Sequence, residues 1–76
     1  MIKKNIYNLT VVIEQDETGS FLAICPALQG CYTEGETVEE AIKFIKDAIR
    51  LHIEDRLENN EPIYKEIKTQ RLRIAV

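Results

Sequence analysis

The apolar pattern of this chain changes its period once, at Thr37. Before that residue, short segments alternate apolar and polar side chains, which is typical of strands with one buried face. After it, apolar residues recur at helical spacing, which indicates a helix with one buried side. Strands followed by one long helix predict an α+β fold in which the helix covers a sheet.

Three strands are predicted ahead of the helix. The first, residues 6–15, has an inward face of alternate apolar residues, and Val12 is the apolar exception on its outward face. Residues 16–20 include Gly19 and predict a hairpin turn into a second strand, where Phe21, Ala23 and Cys25 alternate with Leu22 and Ile24. Pro26 ends that strand, because proline cannot donate a ladder hydrogen bond. A loop then leads to a short third strand, residues 31–34.

The helix has clear end signals. Thr37-Val38-Glu39-Glu40 fits a capping box, in which the threonine hydroxyl and a glutamate side chain satisfy free backbone N–H groups. Asn59-Asn60 predicts the end of the helix, and Pro62 prevents a restart. The alternation of Leu72 to Val76 predicts a last strand. One domain of residues 1–76 therefore has the order β-β-β-α-β, an antiparallel meander covered by one helix.

Charge is distributed unevenly along the chain. The formal net charge is −3 in 76 residues, yet no lysine or arginine occurs between Asn5 and Ile42. Seven carboxylates lie in that stretch: Glu14, Asp16, Glu17, Glu34, Glu36, Glu39 and Glu40. Such a chain is a poor nucleic-acid binder, since phosphate needs a basic face. An acidic surface suits a basic partner, although the pattern by itself slightly favours a merely solvated surface.

Catalytic and metal chemistry find little support in these residues. The single histidine, His52, lies in the helix without a partner nucleophile, and no glycine-rich phosphate loop is present. Cys25 and Cys31 are too few for a disulfide scaffold or a zinc site, so both are predicted to be small buried apolar residues. Turn and capping roles explain the clustered carboxylates better than a two-metal nuclease does. No catalytic residue, metal or cofactor is predicted.

Localisation is predicted from what the sequence does not contain. The longest apolar stretch, Leu9 to Ile13, is too short to span a bilayer, and no signal peptide follows Lys3 and Lys4. We expect a cytoplasmic protein without a membrane partner.

An ordered series of residues over about half the chain carries a family resemblance. It comprises a strand into Glu14, then Asp16-Glu17-Thr18-Gly19-Ser20-Phe21, Cys25-Pro26-Ala27-Leu28, Gly30-Cys31, Thr33 to Thr37 and Glu39-Glu40-Ala41. In these residues the chain resembles the HicB-like antitoxins of toxin–antitoxin pairs. The resemblance implies a partial ribonuclease H-like fold and a partner, a small basic HicA-like toxin that cleaves mRNA. It implies that this chain covers the toxin's RNA-handling surface.

The predicted contact residues lie in two segments. One is the acidic turn with Glu14, Asp16 and Glu17, and the other is the loop from Pro26 to Gly30. Within that loop Leu28 is either an apolar anchor for the partner or a core residue, with equal weight on each. A sheet face or edge left uncovered by one helix also predicts self-association, most simply as a homodimer.

Two departures and two alternatives accompany the resemblance. The chain ends at Val76, so the C-terminal DNA-binding domain of longer relatives is not expected, nor is direct nucleic-acid binding. Gln29 stands where the family often has proline. The first alternative is a degenerate metal-dependent nuclease using Glu14 and Asp16. The second is a solitary regulatory or scaffold domain without a toxin.

Overall fold

Three strands and one helix form the regular secondary structure of the chain, in a computed structural model that describes residues 5–76. The strands are β1 (Val12–Gln15), β2 (Phe21–Ile24) and β3 (Tyr32–Gly35), and the helix α1 is Val38–Glu58. The sheet is antiparallel in the order β1-β2-β3, and α1 packs against β3 and β2. This confirms an α+β meander covered by one helix.

The β1–β2 turn is organised by one carboxylate. Oδ1 of Asp16 accepts hydrogen bonds from the backbone N–H of Thr18 at 2.9 Å and of Ser20 at 3.0 Å, and from the Thr18 hydroxyl at 2.6 Å. Gly19 has φ +90°, a backbone conformation that side chains disfavour. Asp16 and Gly19 together therefore define this turn locally.

Both ends of α1 satisfy their free backbone groups. The Thr37 hydroxyl accepts from the Glu40 N–H at 3.0 Å, while the Glu40 carboxylate accepts from the N–H of Glu36 at 3.1 Å. At the other end Asn60 has φ 55°, and the N–H groups of Asn60 and Glu61 donate to the carbonyls of Leu57 and Arg56. These are the two bonds of a Schellman motif, so the predicted cap and helix end are confirmed.

The core lies between the sheet and the helix. It consists of six buried residues: Ala23, Cys25, Leu28, Cys31, Ala41 and Ile45. At one corner the helix approaches the sheet very closely, because a Cβ on Gly35 would lie 2.6 Å from the backbone nitrogen of Ala41. Only glycine at position 35 allows the first turn of α1 to lie directly on β3.

The predicted last strand is not formed. Residues 61–76 have no helix or strand, although Ile63 packs against the core and a Glu66 carboxylate oxygen accepts from the Thr10 N–H at 2.9 Å. Alternation shows which faces a segment has, but a strand also needs a neighbouring strand to bond. Residues 72–76 have none, so the ribonuclease H-like architecture, which includes this element, is not confirmed.

No helix within residues 5–76 is long and apolar enough to cross a membrane.

Candidate interaction site

The two faces of the sheet differ in what covers them. Residues Ile13, Ala23 and Thr33 are cross-strand neighbours on one face, where Ala23 is fully buried. The Thr33 hydroxyl donates to the carbonyl of Ala41 at 3.0 Å, which fixes this face against α1. Because side chains alternate along a strand, the adjacent cross-strand rows point away from the helix.

The rows that point away form the outer sheet face, which consists of Val12, Glu14, Leu22, Ile24, Tyr32 and Glu34. Tyr32 and Val12 are 66% and 39% exposed, and Leu22 and Ile24 are half-buried. Four apolar side chains thus lie together on a face that no helix or strand of the described residues covers, and two of them are exposed. Contiguous apolar surface is a feature of interaction sites.

Two carboxylates flank the centre of the outer sheet face. Glu14 and Glu34 are the direct cross-strand neighbours of Leu22, one on each side, and both are exposed. No lysine or arginine belongs to the strands or to the segments that join them. The face therefore combines an apolar centre with negative charge, which is complementary to a partner with a basic and partly apolar surface.

The structure places the predicted acidic residues in three different roles. Glu14 belongs to the outer sheet face, and Glu17 is exposed in the β1–β2 turn. The hydrogen bonds from Thr18, first its hydroxyl and then its backbone N–H, hold the pKa of Asp16 below its ordinary value of 3.8. Asp16 thus has a structural role in the turn, independent of any partner.

The predicted loop lies at the opposite end of β2 from that turn. Its neck is closed by hydrogen bonds from the Cys25 N–H to the Cys31 carbonyl and from the Cys31 N–H to the Leu28 carbonyl, both 3.0 Å. Leu28 is 1% exposed and belongs to the core, so its side chain is not a surface anchor. Pro26 and Gly30 remain exposed. The two predicted contact segments are not brought together; the outer sheet face lies between them.

The cysteines and carboxylates do not assemble a reactive centre. Burial raises the pKa of the thiols of Cys25 and Cys31, and both are free cysteines. A buried neutral thiol is a poor nucleophile and a poor metal ligand. Among residues 5–76 no group of three or more histidine, cysteine or carboxylate side chains has metal-binding geometry. The arrangement offers binding surface and charge.

Four residues of the outer sheet face were missed by the sequence prediction: Val12, Leu22, Ile24 and Tyr32. A signal for three of them was present. Val12 broke the outward polar pattern of the first strand, and Leu22 with Ile24 made the second strand apolar on both faces. A strand apolar on both faces in a domain with one helix predicts an uncovered apolar face.

Comparison with known proteins agrees with a binding domain. A family model described as HicB-like antitoxin of bacterial toxin–antitoxin system matches residues 9–74. A UPF0150 protein from Synechocystis sp. is 46% identical over 63 residues, covering 83% of this chain and 80% of that protein. A UPF0150 protein from Thermoplasma acidophilum is 48% identical, covering 71% of this chain and 78% of its own length. No solved structure gives a significant match.

The fold and the outer sheet face define a small α+β domain with a surface suited to binding. The extent of the family match shows that the chain belongs to the HicB-like antitoxin family.

Proposed function

We propose that this chain is an antitoxin that neutralises a small, basic, HicA-like RNA-cleaving toxin by covering the toxin's RNA-binding surface. The observation that carries the proposal is the outer sheet face, which is apolar at its centre and flanked by Glu14 and Glu34. Family membership supports a toxin as the partner.

An RNA-cleaving toxin needs a basic surface to bind RNA, because binding depends on neutralising the phosphates. An acidic face competes for that same surface and speeds encounter by electrostatic attraction. The apolar side chains, with Tyr32 the most exposed of the four, then supply the buried centre from which most binding free energy comes.

We further propose that the protein acts in the cytoplasm by binding alone, with no catalytic step of its own and no direct contact to nucleic acid. It works as a homodimer or higher homo-oligomer. Glu17, Pro26 and Gly30, which are exposed around the outer sheet face, extend the contact at its two ends.

Two tyrosines offer a matched test. Tyr32 is 66% exposed on the outer sheet face, whereas Tyr64 is 72% exposed outside it. The chain is co-expressed with the product of the adjacent small gene, and complex formation is followed by size-exclusion chromatography and rescue of growth. Tyr32→Ala is expected to weaken binding about 10- to 100-fold, the range for loss of a central aromatic contact. Tyr64→Ala should leave affinity within about 3-fold, as for peripheral substitutions.

Equal effects of the two substitutions would place the interface elsewhere on the molecule. Absence of co-elution and of rescue with the unaltered chain would contradict the antitoxin role itself.

A further inference from the structure

The C-terminal segment of the chain is apolar on one face, and that face is exposed among the residues that the structure describes. Leu72, Ile74 and Val76 alternate with Arg71, Arg73 and Ala75, and the apolar three are 71%, 75% and fully exposed. This is the pattern of an amphipathic strand. It is the same segment that the alternation predicted to be the last strand of the sheet.

The chain exposes more surface than a folded monomer of its size. Its accessible surface is 6874 Å², whereas a compact 8.8 kDa protein exposes about 4,800 Å². The radius of gyration is 14.5 Å, against about 11 Å for a compact chain of this length. The excess of roughly 2,000 Å² exceeds the about 800 Å² that each partner of a stable dimer buries.

An open apolar groove lies next to the segment that leads into β1. It has a volume of about 850 Å³ between that segment and one side of α1. Leu9 and Val11 are among the residues that line it from the segment, and Ile42, Ile49 and Ile53 are among those that line it from the helix. The charged residues Lys46, Arg50 and Glu54 of α1 line it as well.

One edge of β1, which follows this segment, has no strand partner within the described residues. In the part of the chain that the structure describes, β1 pairs only with β2, so one row of its N–H and C=O groups has no strand partner. An added strand would satisfy that row. Its side chains would alternate between the groove and the outer sheet face.

We propose that residues 71–76 of a second copy of this chain add to the free edge of β1, reciprocally in a dimer. Leu72, Ile74 and Val76 enter the groove against α1, and Arg71, Arg73 and Ala75 lie on the outer side of the sheet. The missing fifth element of the β-β-β-α-β order is then supplied in trans, a property that goes beyond the proposed function because it requires no toxin.

The exchange can be tested by separating its two halves. A chain ending at Gln70 keeps the groove and lacks the segment. Ile42→Glu keeps the segment and blocks the groove; Ile42 lines the groove but is not among the residues packed against the core cluster. A glutamate there also pairs favourably with Lys46 one helical turn later.

The native chain should have twice the 8.8 kDa mass by light scattering. Each variant alone should be a monomer, and an equimolar mixture should form a heterodimer with one exchanged segment.

Point substitutions distinguish this interface from others. Ile74→Ser should weaken dimerisation about 100- to 10,000-fold, because each dimer loses two buried aliphatic side chains and each loss costs about 10- to 100-fold. Leu51→Ser removes an apolar side chain that is 65% exposed on α1 outside the groove, and should leave dimerisation unchanged.

Three outcomes would overturn the proposal. The first is a native chain that stays monomeric at a concentration of about 100 µM. The others are a dimer that survives removal of residues 71–76 and a mixture of the two variants that stays monomeric. Dissociation by Leu51→Ser in place of Ile74→Ser would assign the interface to the helix. Toxin binding is measured with the Ile42→Glu variant as well. If this variant binds the toxin, the antitoxin role holds whether or not the strand exchange takes place, so the two proposals can fail separately.

Discussion

Single side chains determine several local features of this protein, and Asp16 is the clearest case. One oxygen of its carboxylate accepts three hydrogen bonds from Thr18 and Ser20 and closes the β1–β2 turn. Those donors favour the ionised form, so the pKa of Asp16 in the folded chain lies below 3.8. A carboxyl group whose pKa is lowered by folding stabilises the fold at pH values above its ordinary pKa.

The substitution Asp16→Asn is therefore expected to lower stability in a pH-dependent way. At pH 7 the variant should unfold at a lower urea concentration than the native chain. The difference should shrink as the pH falls below about 4 and through the pKa of the folded state, since the native carboxyl group is then also neutral. Urea unfolding at pH 7, 4 and 2 measures it.

Glu17→Gln is the control, because it removes a charge from the same turn without removing the Asp16 hydrogen bonds. A stability difference for Asp16→Asn that stays constant down to pH 2 would show that charge plays no part.

At the scale of the elements, the loop between β2 and β3 is held together from inside. The Cys25 and Cys31 backbones close its neck, and Leu28 fills the space that the loop encloses. The loop therefore behaves as part of the core, with only its outer residues available to solvent.

Leu28→Ala is expected to destabilise the domain by about 2–5 kcal/mol, the range for removing a fully buried leucine side chain. The control Gln29→Ala changes the exposed neighbour and should cost no more than about 0.5 kcal/mol. Chemical denaturation followed by circular dichroism measures both. A loss below about 1 kcal/mol for Leu28→Ala would mean that the loop can collapse around the cavity.

The elements that could be predicted from sequence are those specified by neighbouring residues. The Thr37 cap, the Asp16–Ser20 turn and the helix end at Asn59 and Asn60 are encoded locally, and all three are confirmed. The direction of Leu28 was undecided, because packing against residues distant in sequence sets it. The prediction of a last strand was wrong for a related reason. Residues 72–76 have the alternation of a strand, but alternation does not show whether a neighbouring strand is there to pair with.

The predicted contact residues stay predictions, but the structure shows their surroundings. Glu14 is exposed on the sheet, Leu28 is buried in the core, and Asp16 holds the turn in which it was predicted to lie. The outer sheet face itself depends on cross-strand register, which brings Glu14, Leu22 and Glu34 into one row. Register is set by the folded hairpins, so that row could not be read from any single segment.

On the scale of the whole molecule, the sheet half has carboxylates but no lysine or arginine between Asn5 and Thr37, whereas α1 and the C-terminal segment have charges of both signs. If the outer sheet face meets a basic partner, attraction between the two surfaces adds to the association rate. Salt screens such an attraction over about 8–10 Å at physiological ionic strength.

Association with the toxin is accordingly expected to slow about 10-fold or more between low and high salt, with a smaller change in dissociation. Stopped-flow or surface-based kinetics at several salt concentrations measures both rates. The double substitution Glu14→Gln and Glu34→Gln should flatten the salt dependence. Glu58→Gln and Glu61→Gln, which remove the same charge at exposed positions at the end of α1 and just after it, should not. An association rate independent of salt would exclude charge matching as part of recognition.

The glycine at position 35 sets a limit on what the contact between sheet and helix can accommodate. Because a Cβ there would lie 2.6 Å from the Ala41 nitrogen, β3 and the first turn of α1 are in backbone contact. Any side chain at this position would have to move the strand and the helix apart. Larger residues at position 35 are thus excluded by backbone geometry and not by side-chain packing.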